Sequence, residues 1–79
     1  MNKIPITSGS KIIKALKHFG WRAVRQKGSH VILVKKGKRP IPVQDVKEIN
    51  RIMLKKIIKE SGTSVKEFLK YLLLLLFRK

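Results

Sequence analysis

The stretch Val24–Leu33, VRQKGSHVIL, constrains the fold more than any other part of the chain. Strand-forming residues lie on both sides of Gly28, and the connection between them is only a few residues long. A glycine tolerates the positive φ that a tight turn demands, so K-G-S reads as the turn of an antiparallel hairpin. The second arm, H-V-I-L-V-K-K, is the strongest strand signal in the chain. Strand alternation puts His30, Ile32 and Val34 on one face and Val31 and Leu33 on the other; the sequence leaves open which face is core. A second turn, K-G-K-R, is centred on Gly37, and P-I-P-V follows as a short third strand. Pro40 and Pro42 have no amide to donate, which places this strand at an edge. The expectation is a three-stranded antiparallel meander.

Helices are expected on both sides of it. Ser8 is a candidate N-cap, because its hydroxyl can accept a free amide of the first turn. Ile12, Ile13, Leu16 and Phe19 recur at helical spacing with Ala15 beside them, while Lys11, Lys14, Lys17 and His18 take the opposite side. Gly20 suits the left-handed residue that ends a helix, so the first helix is expected over Gly9–Phe19. After the third strand, Asp45 and Glu48 form a possible capping box ahead of Val46–Lys59. Asn50 is a rival cap. Val46, Ile49, Met53 and Ile57 form the expected apolar stripe, flanked by Leu54 and Ile58. S-G-T-S breaks the pattern at Gly62, and Ser64 with Glu67 caps a final helix whose stripe is Val65, Phe68, Leu69, Leu72 and Leu76. The fold class is therefore α+β, helices packed on one face of a small antiparallel sheet. Residues 1–79 form a single domain, with residues 64–79 an added C-terminal helix ending in a leucine-rich tail.

Charge narrows the function. The chain has 20 Lys and Arg against 4 Asp and Glu, a formal charge of +16 over 79 residues. Eleven of the basic residues and none of the acids fall in residues 1–44. Such a field attracts polyanions. There is no cysteine, and two histidines with four acids make a protein-only metal site improbable; no metal and no cofactor are expected. The opening residues M-N-K-I-P-I-T-S-G-S lack an apolar leader core, which points to the cytoplasm. The apolar run Tyr71–Phe77 falls well short of the roughly 20 residues of a membrane span. Trp21 just after a helix-ending glycine is expected to be a core residue rather than a base-stacking platform.

Taken together, these segments resemble the HicA-type mRNA interferase toxins of toxin–antitoxin pairs. P-I-T-S-G-S-K-I-I-K-A-L-K-H-F-G-W resembles that family's Ser-Gly cap, first helix and Gly-aromatic pair. V-R-Q-K-G-S-H-V-I-L resembles its central hairpin. I-P-V, K-E-I and L-K-K-I-I-K-E-S-G-T-S-V-K-E-F-L resemble its third strand and C-terminal helices. The resemblance spans roughly Ile4–Leu69. It implies a double-stranded-RNA-binding-domain-like α-β-β-β-α fold, metal-independent cleavage of mRNA, and neutralisation by an acidic antitoxin of the HicB type. The family's active histidine falls on His30, preceded by Gly28 and Ser29. Two departures stand out. Gln44 lies where many relatives carry a His, which removes a possible acid–base helper. Arg51-Ile52 stand where a Pro-Gly pair often opens the next helix, leaving room for that helix to reach back toward Val46.

RNA carries its own nucleophile, the 2′-hydroxyl, and an imidazole titrating near neutrality suits the proton transfers that strand scission needs. Arg25, Lys27, Lys35 and Lys36 flank the hairpin and are candidate phosphate contacts, with Gln26 a candidate reader of a 2′-hydroxyl or base edge. The amides of Gly28 and Ser29 are candidate donors to the same phosphate. Lys11 and Lys14, with Lys17, form a basic stripe along the first helix. His18 is expected to be a solvated helix residue. From the residues alone His30 reads first as a structural or merely exposed histidine, with an RNA contact or a catalyst as the alternatives; it is the family resemblance that favours catalysis. Two rival classes therefore stand beside a ribonuclease, namely a non-catalytic basic RNA-binding module and an inactive interaction domain. Intact Gly28-Ser29-His30 favours the enzyme and Gln44 the rivals. Leu73, Leu74 and Leu75 cannot all face one core and are expected to meet a partner: a second copy, the antitoxin or a membrane surface.

Overall fold

A computed structural model describes residues 6–77. Residues 1–5, which include the first half of the segment M-N-K-I-P-I-T-S-G-S and the start of the family resemblance at Ile4, and Arg78–Lys79 lie outside the described part. The elements run α1 (Gly9–His18), β1 (Arg22–Lys27), β2 (His30–Val34), β3 (Ile41–Gln44), α2 (Arg51–Ser61) and α3 (Val65–Phe77). The sheet is the expected antiparallel meander in the order β1-β2-β3.

Both ends of α1 are set by its sequence. The Ser8 hydroxyl accepts the Lys11 amide. At the other end Gly20 takes a φ of 97°, which lets its own N–H reach the Lys17 carbonyl and the Trp21 N–H reach the Leu16 carbonyl. This paired closure satisfies carbonyls that a straight helix end would leave free. It also turns Trp21 into the core beside Leu16, where the indole is only 3% exposed.

The helices cover the sheet face that carries Val31, Leu33, Ile41 and Val43. Ile12 and Leu16 of α1, Leu54 and Ile58 of α2, and Phe68 and Leu72 of α3 close over it. Burial of each such side chain contributes about 1.5–3 kcal/mol, and this one cluster holds the domain together. The alternation in β2 is thereby resolved: His30, Ile32 and Val34 belong to the open face. β1 is exposed along its whole length, lying beyond the helical cover. A bulge between Ala23 and Arg25, together with Arg25 and Lys27, blunts this free edge against pairing with other chains.

The segment 45–50 corrects the expected second helix. It is not helical, and α2 starts at Arg51 with Asn50 as its cap, the Asn50 side chain accepting the Met53 amide at 2.8 Å. The backbone groups before it are used in tertiary bonds instead: Gly9 N–H donates to the Val46 carbonyl and Ile49 N–H to the Thr7 carbonyl. The buried face of α2 is Leu54, Ile57, Ile58 and Ser61. Met53 is therefore not core but 45% exposed. In α3, Ser64 caps by accepting the Glu67 amide, and Phe68, Leu69 and Leu72 are buried as expected. Leu76 is not; it is exposed with Leu73, Leu74 and Phe77.

Candidate active site and basic groove

The β1–β2 connection is a two-residue loop, Gly28-Ser29, between the paired residues Lys27 and His30. Gly28 has a φ of 59° and among the described residues no non-glycine has a positive φ, so only the first loop position is left-handed. That is the pattern of a type II′ turn, whose twist matches a hairpin. Gln26 donates its side-chain amide to the Gly28 carbonyl at 3.1 Å, and Asp45 N–H donates to the Ser29 carbonyl at 2.6 Å. The turn's carbonyls are thus tied down from both sides. Among the described residues no backbone carbonyl accepts the Gly28 or Ser29 amide, so two N–H groups stand open beside His30.

His30 is exposed and lies on the open face of the sheet. Its cross-strand neighbours are Lys27 on β1 and Gln44 on β3. Directly opposed residues of an antiparallel pair have Cβ atoms about 4.5–5.5 Å apart, so an ammonium and an amide flank the imidazole. Among the described residues no side chain is hydrogen-bonded to it. Arg25, opposite Ile32, shares this face one row further along. The structure therefore brings together Arg25, Lys27, Gly28, Ser29 and His30.

Other candidate residues lie elsewhere. Gln26 pairs with Val31 and faces the helical side, its amide serving the turn. Lys35 is half-buried, and its Nζ donates to the Phe19 carbonyl at 2.8 Å, capping α1. It lies five residues along the strand from His30, about 17 Å at strand rise. Lys36 is exposed at that same distant end. Lys11 sits in the first turn of α1, which abuts the Gln44–Asp45 backbone and so lies at the His30 end, whereas Lys14 and Lys17 step away from it along the helix. His18 is not merely solvated: its ring stacks on Tyr71 with centroids 3.8 Å apart and planes within 6°, at the end of α1 remote from His30.

A groove of about 640 Å³ begins at His30 and follows the free edge of β3. Pro42 and Gln44 form one wall. Met53, Lys56, Ile57 and Glu60 form the other, at the i, i+3, i+4, i+7 spacing of one helix face. Lys38 and Arg39 of the β2–β3 turn stand at the far end. These residues did not emerge from the sequence, because the apolar periodicity of Val46–Lys59 placed Met53 in the core. The signal that was available is Asn50: taken as the cap, it starts the helix at Arg51. No group of three or more His, Cys, Asp or Glu side chains that could hold a metal ion occurs among the described residues. No helix there is long and apolar enough to cross a membrane.

The family model described as the HicA toxin of bacterial toxin–antitoxin systems matches residues 9–63, a span that includes His30 and the whole groove. Among solved structures the chain is similar to a protein titled as a toxin–antitoxin complex from Streptococcus pneumoniae. The two are 33% identical with a TM-score of 0.66, over 71% of this chain and 97% of that one. No curated protein matches. All of α3 lies beyond the span that the family model matches.

Proposed function

The chain belongs to the HicA toxin family of bacterial toxin–antitoxin systems, and from that premise we propose that it is a metal-independent endoribonuclease that cuts mRNA with His30 as general base and acid. The observation that carries this reading is the position of His30: exposed at the hairpin mouth, between Lys27 and Gln44, beside the two open amides of Gly28 and Ser29. His30 takes the proton of a ribose 2′-hydroxyl. The oxygen attacks the adjacent phosphorus, the P–O5′ bond breaks, and the departing 5′-oxygen takes up a proton. Lys27 and Arg25, with the turn amides, offset the charge that builds on the phosphorane. Positioned proton transfer contributes about 10²–10⁴-fold per group, and a single imidazole, with Gln44 rather than a second one opposite it, fits a slow enzyme.

The partners follow from the same surface. A cationic face that attracts RNA also attracts an acidic antitoxin of the HicB type, which neutralises the toxin by covering its active surface. The exposed Leu73 and Leu74, with half-buried Leu75, offer an apolar surface for a second copy. As a toxin acting on mRNA, the protein works in the cytoplasm. Gln44 opposite His30 is the one observation that favours a non-catalytic RNA-binding module instead. Product ends decide between routes. Cleavage through the 2′-hydroxyl leaves a 2′,3′-cyclic phosphate and a 5′-hydroxyl, readable by mass spectrometry. Fragments ending in 3′-hydroxyl and 5′-phosphate would overturn this mechanism.

A further inference from the structure

The chemistry above uses only the hairpin mouth and leaves the groove along β3 without a task. Its volume lies within the about 300–1,000 Å³ of sites that hold small-molecule-sized ligands. Its lining is graded. Pro42, Met53 and Ile57 give apolar surface suited to the flat face of a base, and the Met53 thioether is soft and adaptable. The Gln44 amide and the Glu60 carboxylate supply acceptors, and the amide a donor, that a base edge can use. Lys56 on one wall and Lys38 with Arg39 at the far end supply cations for a polyanion's phosphates. The β3 strand is four residues long, giving a groove of about 13 Å. That is room for a nucleotide beyond the one held at His30.

A peptide is a poorer occupant. A strand that adds to a sheet edge needs backbone donors, and Pro42 in the middle of β3 has none, nor does Pro40 just before it.

We propose that this groove is a nucleotide subsite, which holds the base and phosphate next to the bond at His30 in single-stranded RNA and gives the toxin its sequence preference. The proposal rests on the ribonuclease reading for its ligand but not for its test. A 2′-O-methyl tetranucleotide binds as RNA does and has no free nucleophile, so it is not cut. Titrated into the ¹³C-methyl-labelled full chain, it shifts the Met53, Ile49 and Ile57 methyl resonances saturably. Met53→Ala weakens binding at least fivefold for one of the four homopolymeric tetranucleotides while leaving another unchanged. Leu74→Ala, at an equally open position on α3, leaves all four unchanged. Shifts confined to Ile32 and Val34 on the open sheet face would overturn the subsite. So would equal shifts from a poly-glutamate peptide, which would make the groove an acidic-protein surface. Absence of cleavage of native RNA would instead overturn the ribonuclease reading and leave this result standing.

Discussion

Gly9 and Gly28 are glycines for opposite reasons. A Cβ on Gly9 would overlap the backbone carbonyl of Gln44, so α1 reaches the end of β3 only because that position has no side chain. A Cβ on Gly28 would meet nothing, but φ there is 59°. Gly9→Ala is expected to cost about 1–3 kcal/mol, the usual penalty of overpacking, and to displace Gln44 from His30. Gly28→Ala is expected to cost about 1–2 kcal/mol from the left-handed backbone alone. Urea unfolding of the two variants measures both. Trp21 offers a cleaner contrast. Its indole Nε1 is buried with no hydrogen-bond partner among the described residues, so Trp21→Phe discards an unsatisfied donor and should change stability by less than about 1.5 kcal/mol. Trp21→Ala should cost about 3–5 kcal/mol. At the site, Gln44→His places a second imidazole opposite the first. Single-turnover cleavage should then rise by up to about 10²-fold and its pH profile should become bell-shaped, as two titrating groups require. An unchanged rate and profile would mean that position 44 takes no part in proton transfer.

At the scale of elements, what was legible in the sequence was what local signals determine. Ser8 and Gly20 marked both ends of α1, and Gly28 with the alternation of H-V-I-L-V marked the hairpin. The second helix was not legible, because Asp45-Val46-Lys47-Glu48 carries the pattern of a capping box while its backbone is bonded to Gly9 and its continuation at Ile49 to Thr7. Tertiary bonds outweighed a local preference worth about 1 kcal/mol. The error propagated: moving the start from Val46 to Arg51 leaves the helix's core face to Leu54, Ile57 and Ile58 and turns Met53 outward. In α3 the sequence separated two leucine roles correctly at Leu72 and Leu74, and stability should show it. Leu72→Ala is expected to cost about 2–5 kcal/mol, since the side chain is fully buried. The double variant Leu74→Lys, Phe77→Lys alters positions 60% and 82% exposed; its unfolding midpoint should move by no more than the about 0.5 kcal/mol typical of surface changes. A large loss would show that these side chains pack in the isolated chain.

For the molecule as a whole, the formal charge of +16 predicts attraction of polyanions but does not say where on the surface they would sit. Position came only from the fold. The sheet register sets Lys27 and Gln44 beside His30, spends Lys35 on a helix end, and leads from His30 into a groove whose cations, Lys38, Arg39 and Lys56, belong to segments distant in sequence. RNA affinity should fall steeply with added salt as counterions are released, with a log–log slope shallower by about 0.7 for each phosphate contact removed from a single strand; Lys56→Ala and Arg39→Ala should each lower it, Lys35→Ala should not. The central claim is that His30 cuts RNA through the 2′-hydroxyl without a metal. The most direct measurement incubates the protein and a His30→Ala variant, both with EDTA, with a single-stranded RNA and its all-DNA counterpart. Scission of the RNA alone, lost in the variant, is the predicted result. Equal salt-sensitive binding by both proteins with no scission by either, or cleavage that survives loss of His30, would contradict it.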